Sequence, residues 1–297
     1  MTRPTNQRLL EELYQKYNHP SYLISDPLGV IDRNLSPHDF EIVSLIASGL
    51  AYGRFEQIRK SILELLERLT FLGLSPSGDG IHQYLVHGMD PNEIAICTQD
   101  WSHRLNTHED IIELFAALSG ALKKHGSLAS FFVNFFCKNR LEQHRFENSL
   151  VMFTGEVLKH STHDNSKSGN GKYLGTGASW FFNSPANGSA CKRILLWLKW
   201  MCRKDEVDPG TWLAEDLYER VEDYQTALQL KKHLLQPVDT HIFQWAHVNK
   251  ITERKNINWK VVPEITSYFQ KILPDDPLKY DFALTREGMF EFRNRAN

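Results

Sequence analysis

Apolar residues return at three- and four-residue steps along most of the chain, which predicts amphipathic α-helices. The clearest stripe runs from Phe40 to Leu69 with a break near Gly53, so it predicts two successive helices. Before it, Ser36-Pro37-His38-Asp39 supplies a capping serine, a proline at the first helical position and an acid three residues after the cap. The same periodicity predicts helices over 110–124 and 140–160. No alternating run flanks a hairpin turn, so the predicted fold class is all-α.

One segment interrupts this pattern. From Ser161 to Ser189 the chain is rich in serine, glycine and asparagine. It is either a flexible surface loop or a long ordered loop that lines a site. Trp180 and Phe181 make its second half too aromatic for a simple linker, because such rings are expected to pack.

Charge and cysteine content narrow the possible classes of protein. The 297 residues carry a formal net charge of -2, so any nucleic-acid binding must come from a local basic patch. Four cysteines without paired short spacing do not form a disulfide scaffold or a metal-cluster motif. No apolar run is long enough to span a bilayer and no signal peptide is visible, so we expect a soluble, cytoplasmic monomer without membrane contact.

Two short stretches carry the candidate chemistry. In the first, Gly188 and Ser189 precede Lys192 and Arg193 at the start of an apolar helix. Small residues there leave backbone N–H groups open, which favours phosphate binding, although many structural helices begin in the same way.

The second stretch is centred on Asp239. Pro237 stops the preceding element, and Asp239 or Thr240 caps a new helix. Locally, Asp239 is either a structural cap or a carboxylate held in a fixed direction at a helix N-terminus. His241 and His247 do not share a tight face of this helix, so we expect no metal site and no cofactor.

These stretches resemble a known superfamily. Pro-Val-Asp-Thr-His-Ile-Phe at 237–243 is similar to the signature of the helix-hairpin-helix-GPD DNA glycosylases. Gly188–Lys192 resembles the end of that family's hairpin, and Glu41–Ile58 resembles its early helix pair. More of the chain resembles the bacterial family named domain of unknown function 2400. That resemblance rests on 26–28, 51–54, 188–193 and 276–284.

The glycosylase resemblance implies an all-α protein with two lobes around a cleft. The single unit 1–297 would divide into one lobe of about 36–187 and another of about 1–35 plus 188–297, with the first and last helices packed together. It also implies base-excision repair, the removal of a damaged base, such as an oxidised one, from double-stranded DNA. In this reading Asp239 stabilises the positively charged sugar, and Lys192 attacks it to give abasic-site lyase activity. Spacing leaves open whether Lys192 faces Asp239 or only binds phosphate.

The remaining site predictions follow from the same reading. A base in a duplex must be flipped into a pocket and stacked, and we predict that Trp180 and Phe181 form its wall. We predict that the nucleic acid is bound by the following residues: Gly188, Ser189, Arg193, Lys199 and Arg203. Two other functions remain open, an N-glycosidase acting on a free nucleotide or nucleoside and a non-catalytic DNA-binding protein.

Overall fold

The computed structural model describes residues 5–72, 80–142, 144–161 and 177–296. Within these ranges the backbone is mostly helical, so the all-α prediction is confirmed. The helices are α1 (Thr5–Tyr17), α2 (Pro37–Gly49), α3 (Phe55–Thr70), α4 (Gly80–His87), α5 (Pro91–Cys97), α6 (His108–His125), α7 (Leu128–Lys138), α8 (Arg145–Leu158), α9 (Ala178–Phe181), α10 (Lys192–Cys202), α11 (Val221–Ala227), α12 (Thr240–Val248), α13 (Val261–Ile272) and α14 (Asp281–Ala296).

Short 3-10 helices and one small hairpin join these elements. The 3-10 helices are Pro20–Ser25, Pro27–Val30, Pro185–Asn187, Thr211–Leu213, Glu215–Leu217 and Leu230–His233. In the hairpin, β1 (Ser102–His103) pairs antiparallel with β2 (Asn106–Thr107). The sequence did not predict this hairpin because strands of two residues are too short to show alternation.

Helix α2 lies at the centre of the core. Its start is capped as predicted, since the Ser36 hydroxyl accepts a hydrogen bond from the Asp39 N–H at 3.1 Å. Every residue from 39 to 49 is buried. The carboxylate of Glu41 accepts hydrogen bonds from the N–H groups of Leu128 and Ala129 and from the indole of Trp212. One buried acid therefore ties α2 to the start of α7, where helical N–H groups otherwise lack partners.

Local capping also fixes α6. Thr107 and Asp110 form a capping box at its start, and Gly126 ends it at φ +75°, a conformation that favours glycine. Helix α6 and the region 140–160, which contains α8, agree with the sequence prediction to within a few residues at each end.

His125, the last residue of α6, should make the free energy of unfolding depend on pH. The ring of His125 stacks on Phe131 with centroids 3.8 Å apart, and its buried Nε2 has no hydrogen-bond partner. Burial lowers the pKa of His125 to about 4. An unfolded histidine titrates near pH 6.5. The unfolded chain therefore binds a proton that the native state excludes between these values, and the stability that neutral His125 provides is lost as pH falls from about 6.5 to about 4.

We expect His125→Phe to remove about 1 to 2 kcal/mol of this pH-dependent loss, allowing for the partial solvent contact of the ring. Urea unfolding at about pH 7 and about pH 5 measures how much of the free energy of unfolding is lost between them. His144→Phe is the matched control because that side chain is 66% exposed. Equal pH dependence in wild type and His125→Phe would contradict the assignment.

The two ends of the described chain meet. Helix α1 packs against α14, and α14 also packs against α12. Buried apolar residues from Leu10 to Leu284 form one hydrophobic core cluster. The division into two lobes stays a prediction. None of the helices in the described ranges is long and apolar enough to cross a membrane.

Candidate active site

A cavity of about 660 Å³ opens among segments that are distant in sequence. Its walls come from six parts of the chain, 25–27, 51–58, 192–200, 237–241, Ile257 and 281–289. They bring together the turn between α2 and α3, the starts of α10 and α12, and the first half of α14. A volume of this size lies in the range of small-molecule sites.

Asp239 stands at the edge of this cavity as the N-cap of α12. Its Oδ1 accepts a hydrogen bond from the Ile242 N–H at 2.9 Å, so the cap role considered for this residue is present. The same bond fixes the direction of the carboxylate. The side chain is 13% exposed, and the second oxygen, Oδ2, lies 4.0 Å from Nζ of Lys192. Capping and a role in the cavity are therefore compatible.

Lys192 is the first residue of α10. Cys191 before it takes φ +52°, and its N–H donates to the Ser189 hydroxyl at 3.1 Å. This turn directs Lys192 to the cavity, where its side chain is 38% exposed. The question that spacing left open has a geometric answer, because Lys192 faces Asp239 although 47 residues separate them (239 − 192).

Gly188 and Ser189 shape the turn before α10. Gly188 takes φ +73°, and its carbonyl accepts a hydrogen bond from the Trp259 N–H at 3.0 Å. Neither residue lines the cavity. Their predicted contact with nucleic acid stays a prediction.

Lys199 and Arg203 do not lie where the sequence analysis expected them. Both side chains are 2% exposed and their charged groups are held by internal carboxylates; Lys199 reaches the cavity wall, but its ammonium group is already paired there. Lys199 Nζ lies 2.7 Å from a carboxylate oxygen of Asp281. Arg203 is bound by Asp205, Asp208 and Asp276 at 2.5 to 2.9 Å. The prediction of nucleic-acid contact is corrected for these two residues, because buried charges are held by internal carboxylates rather than by external anions.

The buried carboxylates also explain the titration of Arg203. Burial lowers the pKa of its guanidinium, but Asp208, Asp276 and Asp205 more than offset that effect and raise it above its usual value. The guanidinium therefore stays charged and neutralises carboxylates inside the protein.

Trp180 and Phe181 also lie outside the cavity walls. Phe181 is 1% exposed and packs so closely on Gly49 that a Cβ there would come within 2.2 Å of its ring. The indole of Trp180 donates to the Gly49 carbonyl at 3.0 Å. Neither ring forms a wall of this cavity: the missing side chain at position 49 makes room for Phe181, and Trp180 is bonded to the backbone there. The base-pocket role of the two residues stays a prediction. Residues 162–176 of the predicted loop lie outside the described residues.

Arg193 packs on Trp180 and does not line the cavity. Its guanidinium lies 3.8 Å from the centre of the Trp180 ring. Burial lowers its pKa to about 10, so it remains charged at neutral pH. Its predicted nucleic-acid contact stays a prediction, with one face of the guanidinium already covered by the indole.

Comparison with known families adds one finding. The model of the family described as "Protein of unknown function (DUF2400)" matches residues 26–290. The chain belongs to the DUF2400 family. Neither curated proteins nor solved structures give a match.

The DUF2400 match includes nearly the whole cavity, since Ser25 alone of its lining residues lies outside 26–290. Three of the stretches on which we based the resemblance to this family, 26–28, 51–54 and 276–284, contribute lining residues. The sequence analysis does not place these three stretches in the site. The shared position of these stretches at one cavity is the signal that could have identified them.

Polar and aromatic groups from these stretches and from α3, α10 and α14 form much of the lining, and the sequence analysis assigns none of them to a pocket. Arg286 pairs with Asp26, and the Lys199–Asp281 pair lies in the same walls. The aromatic lining residues are Tyr52, Phe55, Trp200 and Phe282. Among the described residues, no group of three or more histidine, cysteine, aspartate or glutamate side chains could hold a metal ion. The cavity thus combines flat apolar surfaces with fixed charged groups, a lining that suits a planar polar molecule.

Proposed function

We propose that the protein is a DNA N-glycosylase that removes a damaged base and can cleave the resulting abasic site. One observation carries the proposal: Lys192 Nζ and Asp239 Oδ2 lie 4.0 Å apart at the edge of one cavity. A fixed carboxylate beside an amine is the pair that this chemistry needs.

Asp239 has a role in the first step. Breaking an N-glycosidic bond leaves positive charge on the sugar at C1′ and O4′, and a nearby carboxylate stabilises that charge. The cap bond to Ile242 holds Asp239 in place before the reaction, so no reorganisation is needed when charge develops. The same oxygen that faces Lys192 can accept a proton from its ammonium group.

Lys192 has a role in the second step, the formation of a covalent adduct with the sugar. The base leaves C1′ with the electron pair of the glycosidic bond and takes up the Lys192 ammonium proton, which Asp239 passes on. Asp239 is then ionised again beside the sugar cation, and the free Nζ lone pair forms the bond to C1′. Opening of the sugar ring then sends the C1′–O4′ electrons to O4′, which takes up a proton, and leaves an iminium ion on Lys192. Such an adduct permits loss of the 3′ phosphate by elimination of a C2′ proton.

The cavity offers a place for the extruded base. A base must leave the duplex to be reached, and enzymes stack it on aromatic or apolar side chains. Here Tyr52, Phe55, Trp200 and Phe282 supply such surfaces, and Arg286 with Asp26 supplies polar groups. We assign the base pocket to this lining in place of Trp180 and Phe181.

Sequence resemblance supports the same reading. The stretch 237–243 resembles the helix-hairpin-helix-GPD signature. Lys192 and Asp239 are 47 positions apart (239 − 192), more than in most glycosylases of this type, and an archaeal 8-oxoguanine branch of that superfamily has a similarly lengthened connection. An oxidised guanine in duplex DNA is therefore the first substrate to test. Action as a monomer in the cytoplasm remains a prediction from the sequence.

We expect Lys192→Ala to abolish covalent trapping. Borohydride reduces an iminium to a stable amine, so wild type should form an adduct with a duplex from a panel of damaged bases and the variant should not. Lys260→Ala, a lysine at the start of another helix, is the matched control and should trap like wild type. An undiminished adduct in Lys192→Ala would remove this residue from the chemistry.

The same panel tests the class of substrate. Free nucleosides are assayed beside the duplexes by the release of base. Release from duplexes supports the proposal. Release from nucleosides alone would replace it with the N-glycosidase alternative.

A further inference from the structure

A second surface feature lies beside the cavity, at the tip of the β1–β2 hairpin. Arg104 and Leu105 form its two-residue loop. Arg104 takes φ +54°, a conformation that glycine favours at the first position of such a turn, and Leu105 is 75% exposed. A strained arginine followed by an exposed leucine is costly in a turn that has no function.

The tip is held in a fixed relation to the cavity by Tyr52. Its hydroxyl lies 2.8 Å from the His103 carbonyl and 2.7 Å from Oδ1 of Asn106, both acceptors for its proton. The Leu105 N–H donates back to the same hydroxyl at 3.3 Å. Because Tyr52 also lines the cavity, the exposed leucine is presented from a braced element and not from a loose loop.

An open groove runs along this tip. Its lining residues are Arg54, Glu56, Gln57, Arg104 and Leu105. Glu56 also lines the cavity, so the two spaces are neighbours.

The groove carries unneutralised positive charge. The guanidinium groups of Arg54 and Arg104 make no ion pair with any carboxylate of the described residues, unlike the buried Arg203 and Arg286. Arg104 is also held against the backbone of Gly53, where an added Cβ would come within 2.4 Å of its Nη1. Two cations face one carboxylate, Glu56, which suits a polyanion.

We propose that the hairpin tip is a second nucleic-acid contact, in which Arg54 and Arg104 bind backbone phosphates of the duplex and Leu105 enters the space that an extruded nucleotide leaves in the base stack. Apolar side chains of this kind unstack neighbouring bases when they insert. The inference rests on the proposed function, because an insertion site has a purpose only if a nucleotide enters the cavity.

The chain offers a matched control. Arg140 and Leu141 repeat the Arg-Leu pair in the turn after α7, and both are exposed. Neither lines the cavity or the groove. The same substitutions at 140 and 141 therefore report the loss of an exposed arginine or leucine away from the site.

Phosphate binding is tested by the salt dependence of binding. The probe is a labelled duplex with a tetrahydrofuran abasic analogue, titrated between about 50 and 200 mM salt. We expect Arg54→Gln with Arg104→Gln to reduce the slope of log affinity against log salt by about 2, since each lost phosphate contact removes about 0.9. Arg140→Gln should leave the slope unchanged. A double variant with the wild-type slope would overturn this part of the proposal.

Insertion is tested with 2-aminopurine placed opposite the abasic analogue. Wild type should raise its fluorescence several-fold on binding because the orphaned base is unstacked, Leu105→Ala should lose most of that rise, and Leu141→Ala should retain it. A full rise in Leu105→Ala would overturn the insertion. Both assays use a mimic of the abasic product, so they do not depend on base release. If wild type releases base but these assays fail, this inference alone is wrong. If wild type releases no base, the proposed function is wrong.

Discussion

Asp239→Asn should slow base release by about 10² to 10⁴-fold. The change removes the negative charge that faces the sugar but keeps a side-chain oxygen that can accept the Ile242 N–H. Asparagine and aspartate are about equally good N-caps, so the free energy of unfolding should change little. Single-turnover release of base from the preferred duplex measures the rate, and urea unfolding measures the stability.

A second capping aspartate makes the comparison specific. Asp90 caps α5 by accepting the Asn92 N–H at 2.8 Å, and it does not line the cavity. Asp90→Asn should release base at the wild-type rate. If Asp239→Asn also kept the wild-type rate, Asp239 would be a structural cap and the catalytic assignment would be wrong.

Arg203→Met should cost about 3 to 5 kcal/mol of folding free energy, the largest stability effect that we expect from a single change. The guanidinium contacts Asp205, Asp208 and Asp276 within 3 Å in the interior. Methionine fills much of the volume, but it leaves buried carboxylates without their partner. The loss arises from this uncompensated charge rather than from a cavity.

Arg220→Met is the control for that prediction. Arg220 binds Asp223 through two hydrogen bonds, but its side chain is 65% exposed. Because Arg220 itself is exposed to water, the expected cost is much smaller than that of Arg203→Met. Urea unfolding of both variants measures the difference, and equal losses would contradict the role given to the buried network.

Sequence alone could predict the helices whose signals are local. Ser36 and Pro37 cap and open α2, Asp110 completes the capping box of α6, and Gly126 ends that helix. These contacts join residues within a few positions of each other, so they are visible in the order of amino acids. The packing of the helices is not encoded in this local way.

The errors concern long-range contacts. Lys199 and Arg203 have the composition of a basic surface patch, yet Lys199 pairs with Asp281, 82 residues away, and Arg203 pairs with Asp276, 73 residues away. For Trp180 and Phe181, aromatic character and a position in a loop predict a pocket wall. Their positions depend on Gly49, far earlier in the chain, because Phe181 packs where a Cβ would lie and Trp180 bonds to the Gly49 carbonyl.

The pairing of Lys192 with Asp239 could be predicted from the sequence only in part. Each was selected by a short motif, but their proximity depends on how the intervening residues return to the start of α10. Gln236, which is buried and bonded to Asp281 and Thr266, fixes the segment just before Asp239. Only the folded chain shows that the two side chains share a cavity.

The most direct test of the central proposal is to locate the covalent adduct in wild-type protein. The protein is reduced with borohydride in the presence of the duplex panel, digested, and mapped by mass spectrometry. We predict a sugar adduct on the peptide that contains Lys192, in a protein that also releases the damaged base. An adduct on a different lysine, or no base release from any duplex, would contradict the proposed function.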